Sequence, residues 1–254
     1  MNGPLSILLD GDHWSWSNPE GFPQRILEHL GYTGLALLLA LVIAFPIGLL
    51  IGHTGKGSFL AINAGNAGRA LPTLGVLLLV VTLAGTGLVP VTVALVLLAI
   101  PPILTTTYAG VAAVPRATVD AARGIGMREG LIATGVELPI ALPVVLGGIR
   151  NAALQVISTA TIAAYVGMGG LGRYLFDGLA LQDYPQIVGG SIVVALLAVA
   201  VDLLLAGVQR LLVSPGVSGR AARSGNQPLT DADDGAGPDP TTDHPEGEPV
   251  TQSA

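Results

Sequence analysis

Between residues 120 and 139 the chain reads Asp-Ala-Ala-Arg-Gly-Ile-Gly-Met-Arg-Glu-Gly-Leu-Ile-Ala-Thr-Gly-Val-Glu-Leu-Pro, a charged island flanked by long stretches with almost no charge. Its chemistry is that of docking rather than of bond making. Ala121 and Ala122 favour helix, and their small side chains permit close approach. Asp120 stands near the N-terminus of that helix, where negative charge is favourable, and Gly124 and Gly126 supply the turn that follows. Pro139 falls near the first turn of the next apolar segment, where a missing amide donor costs little. Arg116, Arg123, Arg128 and Glu129 are candidates for polar contacts, each contributing little if it sits on a rim. Other chemistry-bearing residues are absent or scattered. There is no cysteine, which excludes disulfides and Cys-type zinc sites, and His13, His29, His53 and His244 form no helical pair of metal ligands. Gly167, Gly169 and Gly172 satisfy G-x-G-x-x-G but follow an apolar run rather than a strand, so a helix end or tight external turn is expected there. Gly55-Lys56-Gly57 lacks the leading glycine of a phosphate loop, position 50 being Leu50, and no Ser or Thr follows Lys56. The chain is not expected to bind ATP itself.

The elements that hold the island follow from composition. A chain that is 51% hydrophobic, 11% charged and 4% aromatic, with a mean hydropathy of +0.67, is too apolar for an ordinary soluble domain and belongs in a membrane. The net charge is −6, and from Ser214 onward seven acidic residues face only Arg220 and Arg223. Removing that −5 leaves −1 for residues 1–213, so the acidity belongs to the tail and nucleic acid is not an expected partner. Long apolar runs at 31–53, 58–84, 87–112, 138–165 and 186–213 each supply the ~20 helical residues that cross a bilayer. The expected fold class is all-α, a polytopic membrane protein of about five transmembrane helices with a cytoplasmic helix in the loop 113–137.

Five spans put the termini on opposite sides. Lys56, Arg116, Arg123, Arg128, Arg210, Arg220 and Arg223 fall on one side and Arg25 and Arg173 on the other, which makes the first side cytoplasmic and the N-terminus external. Asp10, Asp12 and Glu20, with Arg25 the only base, have the wrong polarity for a cleavable signal, so the first run is expected to stay in the protein. Residues 1–29 form an external arm in which Trp14, Trp16, Ile26, Leu27 and Leu30 either lie at the interface or belong to a loosely ordered segment. Residues 30–213 form the transmembrane domain, and 214–254 a disordered cytoplasmic tail too polar to bury a core.

Charge inside a span must face protein or water. Arg150 lies twelve residues beyond Leu138, about 18 Å along a helix and well inside the bilayer. It is either a gate or pathway residue or a structural arginine bonded to carbonyls or to a neighbouring span. Arg69, nearer the cytoplasmic end, either snorkels or lines a pathway. Asp202 is the only acid within a span, and its plainer role is helix packing. Thr105, Thr106, Thr107, Tyr108, Thr159, Thr161 and Tyr165 either line a pathway or, for the threonines, bond to their own helix carbonyls.

Read as acid-Ala-Ala, three residues, Gly, nine residues, aliphatic, any residue, Leu-Pro, the island resembles the cytoplasmic coupling loop of permeases of ATP-binding-cassette importers. Asp120, Ala121, Ala122, Gly126, Val136, Leu138 and Pro139 occupy the defining positions. The family more often has Glu where this chain has Asp120 and Ile where it has Val136, and both departures conserve charge or shape. An ordinary solvated loop would account for the charge but not for the spacing. The resemblance implies that this helix fits a groove on a cytoplasmic ATPase dimer, which binds ATP and Mg, while this chain carries no cofactor or metal and is a transporter subunit rather than an enzyme. It also implies a second permease copy or paralogue and an extracellular or periplasmic solute-binding protein, in a multi-pass assembly surrounded by lipid in the cell membrane.

Further segments resemble one branch, the permeases for quaternary-ammonium osmoprotectants such as glycine betaine, choline and carnitine. They are Glu28-His-Leu, Gly52-His-Thr-Gly-Lys-Gly, Arg69-Ala-Leu-Pro-Thr-Leu, Gly148-Ile-Arg-Asn-Ala and Ala160-Thr-Ile-Ala-Ala-Tyr-Val-Gly-Met-Gly-Gly-Leu-Gly. A permanently charged ammonium is best passed by aromatic faces and weak dipoles, and the branch keeps its tight site on the binding protein. The alternatives are another small-solute importer of the methionine type and a stand-alone carrier or channel. The latter commonly shows internal repeats and an ion-coupling carboxylate, whereas no repeat is visible and only Asp202 is placed for such a role. A non-transporting scaffold would explain the hydrophobicity but neither the motif nor the arginines.

Overall fold

Inside lipid every backbone polar group needs an internal partner, and the apolar runs accordingly fold as helices. The computed structural model describes residues 5–213, so the tail expected at 214–254 lies outside the described residues. In chain order the helices are α1 (Ser6–Leu9), α2 (Phe22–Thr54), α3 (Ser58–Ala70), α4 (Thr73–Ala84), α5 (Leu88–Ala112), α6 (Arg116–Gly124), α7 (Glu129–Ile132), α8 (Leu138–Ala160), α9 (Gly172–Leu181) and α10 (Tyr184–Leu212). Among the described residues 4 helical runs are long and apolar enough to cross a membrane, and the count is 5 if a bent pair forms one span.

That pair corrects the expectation of a single run over 58–84. Leu71 is extended at φ −72° and ψ 124° ahead of Pro72, and α3 and α4 meet there at 98°. A proline disfavours the helical conformation of the residue before it, which is why the break falls inside Arg69-Ala-Leu-Pro-Thr-Leu. The first helix also starts earlier than expected. It begins at Phe22 with Pro23 in its first turn, so Ile26, Leu27 and Leu30 belong to the long helix and not to the arm.

The arm folds back on the same end of the molecule. Ile7, Phe22, Leu171, Tyr174 and Val193 form one buried cluster, and Phe22 stacks on Tyr174 at 4.4 Å. The Tyr174 hydroxyl donates to the carbonyl of Glu20 at 2.6 Å, and burial pushes its phenol up to about 12, which keeps it a donor. Trp14 and Trp16 stay exposed.

α5 is the central post. Its most apolar window is 61% buried, against 6% for α10 at the periphery. Three consecutive threonines on α5 each receive a glycine of a different helix. A side chain at Gly148 of α8 would overlap Thr106, one at Gly65 of α3 would reach Thr105 Cγ2 at 2.6 Å, and one at Gly48 of α2 would reach Thr107 Cβ at 2.8 Å. Successive helical residues point ~100° apart, so one triplet of small β-branched residues against three glycines seats three helices around one axis. The buried stripe of α2 at Ala36, Ala40, Ala44 and Gly48 repeats every four residues and brings its backbone close to α5.

Candidate functional site

The charged island leaves the apolar run at Pro115 as expected. Its helix starts at Arg116, so Asp120 stands in mid-helix rather than near the N-terminus and the first turn holds no acid. The island's far end also differs from expectation. Pro115 precedes α6, whose Val119 and Ala122 are buried against Val114 and Ile132, with Met127, Val136 and Ile140 packed around them. At the far end Gly126 is left-handed, at φ +83°. Its N–H reaches the carbonyl of Arg123 at 2.9 Å, and the N–H of Met127 reaches the carbonyl of Ala122 at 3.1 Å. This pair of bonds is the helix-ending motif that favours glycine in the left-handed position, and it explains the glycine of the spacing pattern. The two alanines diverge, since Ala122 faces inward while Ala121 is exposed with Asp120, Gly124 and Gly126. Ile125 is 80% exposed, a large apolar side chain at the tip of a polar loop that the motif positions did not include.

The second half of the island is helical rather than an open loop. Glu129–Val166 is one run of 38 residues with a π turn at Ala133–Glu137. The turn sits directly before Pro139, whose ring would press on the carbonyl of Gly135 in an unbroken α-helix. Leu138 and Pro139 therefore mark the point where the island becomes the transmembrane helix α8. Glu137 is buried, and its Oε2 lies 2.6 Å from His53 Nδ1 on the last turn of α2. His53 Nε2 lies 3.0 Å from Glu129 Oε2. Arg123 grips Glu129 with Nε at 2.8 Å and Nη2 at 3.1 Å, and Asp120 with Nη1 at 3.3 Å. Hydrogen bonding to Glu129 is the largest influence raising the Arg123 pKa above its ordinary value. A cavity of about 270 Å³ opens here between the ends of α2 and α5 and the face of α6, with Tyr108 in its wall.

The residues considered for a pathway separate into groups. Thr105 and Thr106 donate to the carbonyls of Pro101 and Pro102 at 2.8 and 2.7 Å, while Thr107 is fully buried beside α2. Thr161 donates to the carbonyl of Ser158 at 2.6 Å, Thr159 is buried, and Tyr165 is exposed with its ring 5.5 Å from Phe176. Arg69 lies in the last turn of α3, next to the break. Arg150 pairs with Asp202 of α10, with Nε at 3.0 Å from Oδ1 and Nη2 at 2.8 Å from both oxygens. Its Nη1 donates to Gln209 Oε1 at 3.2 Å, and Gln209 Nε2 donates to the carbonyl of Pro143 at 3.1 Å. The network joins α8 to α10.

Part of one polar surface, Asn66, Asn151, Gln155 and Ser158, was missed, while its Thr105, Thr106 and Tyr165 were among the residues considered. Gly147, Asn151, Ser158 and Tyr165 are exposed along one stripe of α8 and the 3-10 turn that extends it. Asn66, Asn151 and Gln155 line a groove of about 210 Å³ with Thr105 and Thr106. The signal was present in the sequence as uncharged amides within apolar runs. At the opposite end from the island, the Glu28-His-Leu segment clamps the glycine-rich turn. Glu28 Oε2 accepts from the N–H of Gly170 at 2.7 Å and from Arg25 Nη1 at 3.0 Å, and His29 Nε2 lies 2.9 Å from the carbonyl of Ile157. Gly167 and Gly170 are left-handed there, at φ +85° and +84°, as a tight turn requires.

Comparison with known proteins agrees with this architecture. The choline transport system permease protein OpuBB of Bacillus subtilis (strain 168) is 37% identical over 193 residues, 76% of this chain and 89% of the relative. The glycine betaine/carnitine/choline transport system permease protein OpuCB of the same organism is 36% identical over 192 residues, 76% of this chain and 88% of the relative. The osmoprotectant import permease protein OsmY of Salmonella typhimurium is 37% identical over 187 residues, 73% and 79% of the two chains. Among solved structures, an inward-facing conformation of the MetNI methionine ABC transporter aligns with a TM-score of 0.68 at 20% identity, covering 76% of this chain and 96% of that one, which establishes the shared fold. Residues 44–214 match the family described as binding-protein-dependent transport system inner membrane component. With its apolar helices, the short helix α6 seated at one end of them and this match, the chain belongs to that family, as a multi-pass permease subunit with the fold of ABC importers.

Proposed function

We propose that the chain carries a quaternary-ammonium osmoprotectant, with glycine betaine, choline and carnitine as the candidate solutes, across the cell membrane in an ATP-driven importer. The observation that carries this reading is the similarity, over most of the chain, to permeases whose names specify these solutes or osmoprotectants as a class. In this reading ATP and Mg bind a separate ATPase dimer, this chain holds no cofactor, and an external binding protein delivers the solute. The distribution of Lys56, Arg116, Arg123 and Arg128 supports a cytoplasmic α6, an external N-terminus and a cytoplasmic C-terminus.

The coupling residues are Asp120, Ala121, Ala122, Gly126, Val136, Leu138 and Pro139, in two roles. Ala122, Val136 and Gly126 hold α6 against the helix that follows, while Asp120, Ala121 and the exposed Ile125 meet the ATPase. An apolar side chain in the centre of a small docking surface contributes more than charges at its rim. Closure of the ATPase dimer then moves α6, and through it α8. The solute passes along the exposed polar stripe of Asn66, Asn151, Ser158 and Tyr165, which faces a second permease copy or a paralogue, because polar groups are not left against lipid. The pairing of Asp202 with Arg150 argues against an ion-coupling carboxylate and hence against a stand-alone carrier.

The test is uptake of labelled glycine betaine, choline and carnitine into cells lacking other carriers, expressing this chain with its ATPase and binding protein. Uptake that requires every component is expected. Gradient-driven uptake by this chain alone would overturn the importer reading, and failure of the complete assembly with all three solutes would remove the osmoprotectant assignment.

A further inference from the structure

The groove on the exposed polar stripe holds two kinds of polar group, free N–H donors on its walls and oxygens elsewhere. We infer that it is a transit site for a small zwitterion, in which the amides of Asn66 and Asn151 receive the carboxylate of a solute such as glycine betaine or carnitine. This site deepens the osmoprotectant reading of the importer and rests on it.

The packing on α5 builds the groove. Gly65 of α3 is seated on Thr105, and Gly148 of α8 on Thr106. Asn66 directly follows the first glycine, and Asn151 stands three residues beyond the second, on the same face of its helix. The two amides therefore belong to two walls, α3 and α8, of a groove of about 210 Å³ floored by α5. Both are exposed. The internal hydrogen bonds of the groove are made by Thr105, Thr106 and Gln155, and among the described residues none engages Asn66 or Asn151.

The remaining polar groups have their hydrogens committed. Thr105 and Thr106 donate to the carbonyls of Pro101 and Pro102 at 2.8 and 2.7 Å, so toward a ligand their oxygens are acceptors. Pro102 has no N–H, and the carbonyl of Leu98, four residues earlier, loses its helical donor. Gln155 Nε2 supplies one at 3.4 Å, which fixes that amide and leaves its Oε1 as a further acceptor.

This division matches a zwitterion at both ends. A carboxylate only accepts hydrogen bonds, and bonds to it are about twice as strong as those between neutral groups. The two free amides are the donors it needs. A quaternary ammonium has no N–H to donate, and its polarised methyl groups meet oxygens through weak C–H···O contacts. The described lining carries no charged side chain, so the groove offers dipoles rather than a trap, as a pathway requires. Its volume lies below the ~300–1,000 Å³ of drug-sized pockets and suits a smaller solute.

The test is uptake by the complete importer in proteoliposomes at saturating solute, with basal ATP hydrolysis reporting correct assembly. Glycine betaine and carnitine carry a carboxylate and choline does not. Asn66→Leu and Asn151→Leu keep the side-chain bulk and remove the donor. Each should lower glycine betaine and carnitine uptake about tenfold relative to choline, and Asn151→Gln, which restores a donor, should retain most of it. The chain has no cysteine, so Ile62→Cys places a single thiol in the groove for a direct measure of binding. Glycine betaine should protect that thiol from a soluble thiol reagent at a concentration about tenfold below that needed with choline, and Asn151→Leu should abolish the preference. An unchanged preference in both Leu variants would overturn the carboxylate site, and so would wild-type uptake of choline alone. Equal loss of all three solutes would also overturn it, since amides that bond a second permease copy affect every solute alike. If the wild-type importer moves none of the three, the osmoprotectant reading fails and the site falls with it. If it moves glycine betaine while neither Leu variant alters the preference, the site alone is wrong.

Discussion

Replacing Arg150 with Leu strands the Asp202 carboxylate between α8 and α10. In the native arrangement three N–O contacts of 2.8 to 3.0 Å and the Gln209 amide satisfy the pair. Removing one partner of a fully buried pair costs about 3–5 kcal/mol. The side chains here are 30% and 28% exposed, so part of that penalty is relieved by solvent or headgroups. The expected cost is about 2–3 kcal/mol, roughly a 30- to 150-fold shift in the folding equilibrium. Arg150→Leu combined with Asp202→Leu removes both charges and fills the gap with apolar volume, so the double variant should return to within about 1 kcal/mol of the native chain. Reversible unfolding in mixed micelles, followed by helical circular dichroism for the native chain, both single variants and the double variant, measures the coupling between the sites. Additive costs in the double variant would refute the pair as a packing device. Uptake is the second readout: a stable double variant that still transports separates Asp202 from any ion-coupling role, whereas loss of ATP-driven uptake would return both residues to the pathway.

Gly148→Val should lower stability by about 1–3 kcal/mol through overpacking against Thr106, and adding Thr106→Ala should recover part of the loss in the same unfolding assay. Gly126→Val forces a branched side chain into the left-handed region at a cost of about 1–2 kcal/mol, confined to the end of α6, so limited proteolysis should cut residues 120–130 faster while the transmembrane core is unchanged. Ile125→Asp should reduce solute uptake per ATP hydrolysed with little change in thermal stability, because the side chain is 80% exposed; normal coupling would remove Ile125 from the ATPase surface. Tyr174→Phe keeps the stack on Phe22 but loses the bond to Glu20, an expected cost of about 1 kcal/mol seen as faster proteolysis of the arm.

Membrane residence, helical class and the position of the charged island were legible because each is carried by local pattern: continuous apolar runs and a fixed spacing of alanines, glycine and proline. The break at Pro72 was legible in principle, since Leu71-Pro72 is a local signal, but the apolar run on either side concealed it. Gly126 was readable as a turn residue, and the structure supplied the reason in a pair of helix-ending hydrogen bonds. Other features depend on partners that no local window contains. Arg150 is joined to Asp202 across 52 residues and His53 to Glu137 across 84. Which of the two readings of Arg150 holds, and that His53 meets carboxylates at all, depend on the rotation of each helix about its own axis and on its axial register against its neighbours. Those are decided by the close approach of glycines to the threonine triplet of α5, a packing choice made by three helices together. The sequence by itself determined that such helices exist and which side of the membrane the charged island is expected to occupy. Only their assembly decided which polar groups meet, because side-chain reach is a few ångströms and the chain distances are tens of residues.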